Sequence, residues 1–325
     1  MKMIITYCLE QAIFIRKDGK NRGEMNMSRK WKALLCILIV IILALAGSMV
    51  YVLMESGNQR VQTSYLQNLN EIYNMEAGII YNNLELKDGK DYVITYDFKQ
   101  EEYVELIEKY DIAQIAGSGS EYEKAVALMN NYSGRLQHLS DYDNHVAMNA
   151  LDLLEYSLDN KAQGINCRAK AQILNEMCLA LGIYSRKVWI MPNSIYDVDC
   201  HVVNEVWDTA LNKWVMLDIT NNFYWVDQYG TPLSILEIRE HIAKQEFCTP
   251  VSPDDKLEKL EKSLQDNFDN FIYIAKDMVY MEYCTEYTLG ETKEFYVLLP
   301  EAYSLDETEK VLLISQGAIE ANPCK

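Results

Sequence analysis

The feature that most constrains this chain is an uncharged apolar run near its N-terminus. Residues 33–54 read ALLCILIVIILALAGSMVYVLM and contain no Asp, Glu, Lys or Arg. As an α-helix this run spans about 33 Å, close to the roughly 30 Å hydrocarbon core of a bilayer. A core helix of a soluble protein normally shows a polar stripe, and this run has none. The sequence therefore predicts a transmembrane helix over residues 33–54.

The charge on either side of this run predicts its orientation. Residues 1–54 carry a net charge of +5 and the rest of the chain −23, which together give −18. Basic residues, including the RKWK at 29–32, stay on the cytoplasmic side of a membrane. We therefore predict a single-pass cell-membrane protein with residues 1–32 inside and the C-terminal domain outside. A cleaved signal peptide is the alternative, because Ala44-Leu45-Ala46 resembles a cleavage site.

Composition narrows the class of protein further. The chain has 325 residues and a net charge of −18, which allows one or two domains and disfavours nucleic-acid partners. None of its eight cysteines form a CxxC pair, so we predict no zinc site and no other cofactor. Disulfide pairing and oligomeric state stay open. Met25 and Met27 also leave open whether Met1 is the true start.

The rest of the chain divides into three predicted parts. Residues 55–98 read as a helical stalk followed by a first strand, and residues 99–249 as the main domain, with several helices followed by strands. The segment PVSPDD at 250–255 marks a boundary. Beyond it, residues 250–325 predict a small C-terminal α/β appendage, whose completeness stays open.

The clearest helix in the main domain runs from Asn166 to Leu181. Asn166 is a good N-cap, and Gly182 is a natural stop. Cys167 therefore stands in the first helical turn, where unpaired N–H groups and the helix dipole favour a thiolate. Such a sulfur is a good nucleophile if a base lies beside it.

Two β-rich runs predict a hairpin that could supply this base. HVVNEVW at 201–207 and KWVMLD at 213–218 flank a turn. If Trp207 pairs with Trp214, Asp218 lies diagonal to His201 on the same face, within reach of its imidazole. Asp218 would then fix the ring and stabilise the imidazolium, leaving the other ring nitrogen for Cys167.

These residues resemble the transglutaminase-like (papain-like) superfamily of cysteine enzymes. The matching pieces, in chain order, are GINCRAKA at 164–171, ALGIYSRKV at 180–188, CHVVNEVW at 200–207 and KWVMLDIT at 213–220. The resemblance implies an α+β core of that fold over about residues 100–245. By position it implies Cys167 as nucleophile, His201 as general base and acid, and Asp218 as the orienting carboxylate. It further implies thioester chemistry on an amide of a peptide or protein substrate.

The sequence departs from the family pattern at two places beside these residues. His201 is followed by Val202-Val203 where the family often has Ala-Trp, and Ile219 stands where it often has proline. Neither change touches a catalytic atom. The backbone N–H of Cys167 is one expected oxyanion donor. Gln163 and Tyr132 are the candidates for a side-chain donor.

The expected function is a membrane-anchored, outward-facing, thiol-dependent amide hydrolase or acyltransferase. The alternative is a catalytically inactive transglutaminase-like module that binds or scaffolds partners at the cell surface. A blocked cleft, or a disulfide between Cys167 and Cys200, would favour the inactive module. A metal site of Cys167, Cys200 and His201 would lack a fourth ligand at sensible spacing. Asp199 is expected to be a loop residue and not the partner of His201.

Overall fold

The computed structural model describes residues 29–159, 163–194, 196–303 and 311–325, without the side chains of 29–36, 55–69 and 159. The chain divides into two units, Met1–Tyr65 and Leu66–Lys325. In the first unit, Ile37–Met54 is a helical stretch with mean hydropathy 2.8 and no buried side chain, long and apolar enough to cross a membrane. The predicted cytoplasmic residues 1–28 lie outside the described residues.

The second unit combines helices with one large sheet. The helix α1 continues to Asn82, and Ala77 and Ile80 on its last turns are buried. In chain order the helices are α1 (Arg29–Asn82), α2 (Glu101–Tyr110), α3 (Ile112–Ala116), α4 (Glu121–Ser133), α5 (Ala150–Leu154), α6 (Cys167–Ala180), α7 (Ile235–Lys244), α8 (Leu260–Asp266), α9 (Phe268–Lys276) and α10 (Gln316–Glu320). A π-helical turn at Glu155–Asp159 follows α5, and a 3₁₀ turn at Leu257–Lys259 precedes α8.

The strands form a seven-stranded sheet and a small pair. In chain order the strands are β1 (Thr95–Tyr96), β2 (Ser185–Met191), β3 (His201–Asp208), β4 (Lys213–Asp218), β5 (Phe223–Asp227), β6 (Cys248–Val251), β7 (Tyr280–Tyr283), β8 (Glu286–Tyr287) and β9 (Tyr296–Leu298). The large sheet has the order β6-β5-β4-β3-β2-β7-β9 with antiparallel neighbours, and β1 pairs with β8 in parallel. The chain therefore has the α+β architecture that the sequence predicts.

The alternation of side chains along β3 and β4 divides the core between the two faces of the sheet. Val206 and Val215 pack with the helices that precede the sheet, α2 to α6. Val203 and Met216 point the other way and pack with α7 and α9. Because successive side chains of a strand point to opposite faces of the sheet, the buried residues of β3 and β4 pack against helices on both faces. Every residue of β3 is buried.

The C-terminal segment contributes strands to the large sheet. Its strands β7 and β9 extend the large sheet beyond β2, with Trp189 opposite Glu282 in the register. Residues Leu66–Lys325 accordingly form one compact unit. The segment PVSPDD at 250–255 begins within β6, another strand of the same sheet.

Candidate active site

Helix α6 begins as its sequence predicts. The Asn166 side chain accepts a hydrogen bond from the Ala169 backbone N–H at 3.0 Å, the usual N-cap contact. Cys167 is the first residue of the helix, and its thiol is free and half-buried. The start of α6 thus presents a sulfur where the helix dipole stabilises negative charge.

The hairpin of β3 and β4 has the predicted register. Trp207 lies opposite Trp214, and the ladder continues to the pair Asn204 and Leu217. This register brings His201 and Asp218 together, with 2.9 Å between His201 Nε2 and Asp218 Oδ2. Both side chains are almost fully buried.

Asp218 is held by several donors besides the histidine. Its Oδ1 accepts from the backbone N–H groups of Thr220 at 2.9 Å and Asn221 at 3.2 Å. Its Oδ2 accepts from the Asn221 side-chain amide at 2.8 Å. Burial opposes ionisation of Asp218, but His201 and these donors hold the pKa of its carboxyl below its usual value. Asp218 is therefore a fixed anion, and the orienting role of Asn221 was not foreseen from the sequence.

The imidazole of His201 is bonded to this carboxylate and interacts with the Cys167 thiol, which lines the same cleft. Burial disfavours the imidazolium, but the Asp218 charge, its hydrogen bond and the interaction with Cys167 together raise the pKa of His201 to about 10. Nε2 is committed to Asp218, so Nδ1 is the ring nitrogen left for the sulfur. The arrangement can hold a thiolate–imidazolium pair and transfer one proton from the ring.

The three residues meet at an open cleft of about 450 Å³. Cys167 and His201 line it directly. Several of the other lining residues carry no signal in the sequence that would mark them as part of a site. Besides Asn166 and Asn221, the lining residues are His138, Ser140, Arg168, Trp189, Val198, Asp199, Cys200, Val202, Thr220 and Tyr273. The cleft is open to solvent. The thiols of Cys167 and Cys200 are both free, so these two residues do not form a disulfide.

The two side chains predicted as oxyanion donors lie elsewhere. Tyr132 is fully buried, donates to the Tyr110 carbonyl at 3.0 Å and lines a separate cavity. Its phenol is therefore occupied in the helical core, and the prediction for Tyr132 is wrong. Gln163 is exposed and is not among the residues that line the cleft. Position in the chain alone could not reveal where either side chain points.

Arg168 and the acidic loop before β3 set the charge at the rim of the cleft. Arg168 Nε lies 2.8 Å from Glu291 Oε1, so a residue of the C-terminal segment holds this cation next to the nucleophile. Asp197 and Asp199 form ion pairs with Lys276. Asp199 lies in a loop, as predicted, and is not the partner of His201.

The remaining groups near the site do not form a metal centre. Within the described ranges, no group of three or more His, Cys, Asp or Glu is arranged to hold a metal ion. Burial, together with the nearby Cys167, raises the pKa of Cys200 to about 11, which makes this thiol a poor nucleophile at neutral pH. His138 is an exposed rim residue whose Nε2 lies 3.1 Å from Ser140 Oγ.

Comparison with known proteins identifies the class of this domain. Residues 109–219 match the family model of the transglutaminase-like superfamily, a segment that includes Cys167, His201 and Asp218. The chain therefore contains a transglutaminase-like core, of the fold that the sequence resembles. At the level of the family, this fold supports thiol-dependent hydrolases or acyltransferases.

Two solved structures are similar to part of the chain. One is described as a "putative cysteine protease" from Cytophaga hutchinsonii, at 15% identity and a TM-score of 0.30, covering 48% of this chain and 52% of that one. The other is described as a "putative protease" from Parabacteroides distasonis, at 15% identity and a TM-score of 0.25, covering 49% of this chain and 30% of that one. The chain thus spans about half of the first protein and about a third of the second. No curated protein matches the chain.

Proposed function

We propose that the protein is a thiol-dependent amide hydrolase or acyltransferase that acts through a thioester on Cys167. The observation that carries this proposal is the buried His201, bonded through Nε2 to Asp218 and in contact with the Cys167 thiol at an open cleft. A nucleophile, a proton carrier and an orienting anion in contact are the parts that acyl transfer by a thiol requires.

In the first half-reaction, the Cys167 thiolate attacks the carbonyl carbon of an amide of a peptide or protein. A C–S bond forms, and the carbonyl π electrons move to oxygen, where the backbone N–H of Cys167, in the first helical turn, can stabilise the charge. The intermediate then collapses and the C–N bond breaks. His201 gives its proton to the departing nitrogen, so an amine leaves, the thioester remains and the imidazole becomes neutral.

In the second half-reaction, neutral His201 removes a proton from water or from an amine. The resulting nucleophile attacks the thioester, the C–S bond breaks, and the Cys167 thiolate and His201 imidazolium are restored. Water yields a carboxylic acid and an amine yields a new amide. Asp218 stays ionised throughout and stabilises the imidazolium.

We also propose that residues 33–54 anchor the chain in the cell membrane with the domain outside. The helical stretch Ile37–Met54 has the length and apolarity for this role. Arg29, Lys30 and Lys32 directly precede it, whereas Arg60 is the only basic residue among positions 55–75, which favours a cytoplasmic N-terminus. The substrate would then be an extracellular or cell-surface peptide.

Alkylation of the full chain in detergent tests the nucleophile. At about pH 5.5, far below the pKa of about 8.5 of a free thiol, iodoacetamide should modify Cys167 selectively. The exposed Cys324 is the matched internal control and should react slowly at this pH. Cys167→Ser should lose the label and His201→Ala should reduce it strongly. Labelling of Cys324 with none at Cys167 would refute the proposal.

Product analysis separates hydrolysis from transfer. The full chain is incubated with a dansyl-amine and a glutamine-containing protein. Incorporation of the fluorophore indicates a transferase, whereas deamidation or chain cleavage indicates a hydrolase. The Cys167→Ser protein is the control for each reaction, and turnover that persists in this variant would contradict the thioester route.

A further inference from the structure

Helix α9 supplies one wall of the cleft, although it follows the transglutaminase-like segment in the chain. Its Tyr273 lines the cleft beside His201. The two ring centroids are 5.5 Å apart, and the ring planes meet at 69°. This is the edge-to-face geometry in which aromatic rings attract one another. The phenol ring of Tyr273 is thus packed directly against the imidazole.

Contacts from the same helix fix this ring in place. Lys276 Nζ lies 3.1 Å from Asp197 Oδ2 and 3.3 Å from Asp199 Oδ2, which joins α9 to the loop that leads into β3. The same Nζ is 5.4 Å from the centroid of the Tyr273 ring, and the Tyr273 hydroxyl is 3.5 Å from Asp199. The helix and the start of β3, where His201 stands, are therefore held together.

The ring affects the imidazole in two ways. It occupies space that water would otherwise fill, and the attraction between His201 and Asp218 is stronger where water is excluded. It also restricts rotation of the imidazole, which must keep one nitrogen on Asp218 and the other on the sulfur. Tyr273 would therefore act on the Cys167 nucleophile through His201.

We propose that Tyr273 is a positioning residue that holds the His201 imidazole between Cys167 and Asp218. The inference rests on the proposed function, because it concerns the same site. It also assigns a role in that site to the C-terminal segment, since residues 109–219 alone would lack this wall.

The ionisable groups around the imidazole come from several elements and are unchanged by substitutions at Tyr273. They are Cys167 of α6, Asp218 of β4, Asp277 at the end of α9 and His138 in the loop between α4 and α5, while Lys170 of α6 interacts with Asp218 and Cys167. A change in pH profile at position 273 therefore reports on the ring and not on a lost charge.

The test measures the rate of Cys167 alkylation by iodoacetamide against pH, in the full chain in detergent. Tyr273→Leu and Tyr273→Met remove the ring but keep an apolar side chain, and Tyr273→Phe keeps the ring. Ile272→Ala is the matched control, because Ile272 is a partly buried neighbour on α9 that packs into the core and does not line the cleft. Thermal unfolding establishes that each variant is folded.

We expect the acid limb of the profile to move up by about one pH unit in Tyr273→Leu and Tyr273→Met, so that labelling at about pH 5.5 is roughly tenfold slower. Tyr273→Phe and Ile272→Ala should keep the wild-type profile. An unchanged profile in either folded variant without the ring overturns the inference, as does a full loss in Tyr273→Phe. The proposed function fails separately, if wild-type Cys167 is not labelled at all.

Discussion

Asp218 is the residue whose charge determines the state of the other two. Four hydrogen bonds hold its carboxylate, so it cannot turn away from His201. In Asp218→Asn we expect the pKa of His201 to fall from about 10 towards its usual value of about 6.5, because the anionic partner is gone. The thiolate–imidazolium pair then forms less readily, and alkylation of Cys167 at about pH 5.5 should slow by roughly tenfold or more.

A second buried aspartate on the same hairpin provides the control for this change. Asp208 at the end of β3 accepts from the Leu211 backbone N–H at 2.8 Å and does not line the cleft. Asp208→Asn should lower stability but leave the alkylation rate of Cys167 unchanged. If the two variants label at the same rate, the effect assigned to Asp218 is not electrostatic.

At the scale of elements, the parts of the site with local signals could be predicted and the long-range part could not. The N-cap residue Asn166 indicates where α6 begins. The pairing of Trp207 with Trp214 indicates the register of the hairpin. Both signals lie within a few residues of the structure that they predict. Nothing near Tyr273 indicates that its helix returns to His201. Local periodicity shows which face of a helix is apolar, but not which distant strand that face covers.

The end of α9 gives a pH-dependent prediction. Asp277 caps this helix, where the dipole disfavours a negative charge, and its carboxyl oxygens are buried, with Lys276 Nζ 3.5 Å from Oδ1. Burial raises the pKa of Asp277 to about 7, despite Lys276 nearby, so the folded state binds a proton that the unfolded state releases near pH 4. The free energy of unfolding should therefore fall as the pH rises from about 4 to about 7.

Asp277→Asn should remove this slope. We expect the variant to be more stable than the wild type at neutral pH, by up to about 4 kcal/mol, and nearly equal to it below about pH 4. Urea unfolding followed by circular dichroism at a series of pH values measures the difference. Asp227→Asn, on the partly exposed end of β5, is the comparison and should keep the wild-type slope. A variant that is equally destabilised at every pH would contradict the assignment to Asp277.

At the scale of the whole molecule, one buried ion pair joins segments that are far apart in the chain. Arg186 on β2 donates to Glu205 on β3 at 2.6 and 2.9 Å and to the Ile319 carbonyl of α10 at 2.7 Å. Glu205 also accepts from the Ile235 backbone N–H at the start of α7. This pair ties the C-terminal helix to the central strands, which the apolar pattern of the sequence did not indicate.

Arg186→Met should lower the free energy of unfolding by about 3–5 kcal/mol, because it leaves the Glu205 carboxylate buried without its cation. The double variant Arg186→Met with Glu205→Leu should recover part of that loss. Lys244→Met breaks an exposed ion pair with Glu240 and should change stability far less than Arg186→Met does. Equal effects of the buried and exposed substitutions, measured by urea unfolding, would refute the prediction.

The orientation across the membrane can be tested with an exposed thiol near the C-terminus. Cys324 is exposed, whereas burial raises the pKa of Cys178 to about 12 and makes that thiol unreactive. In a Cys167→Ser chain, a membrane-impermeant maleimide added to intact cells should label Cys324, because the domain is proposed to lie outside. Cys324→Ser in the same chain should lose the label. If the label enters Cys324 only after the cells are permeabilised, the domain faces the cytoplasm, and an extracellular substrate is ruled out with it.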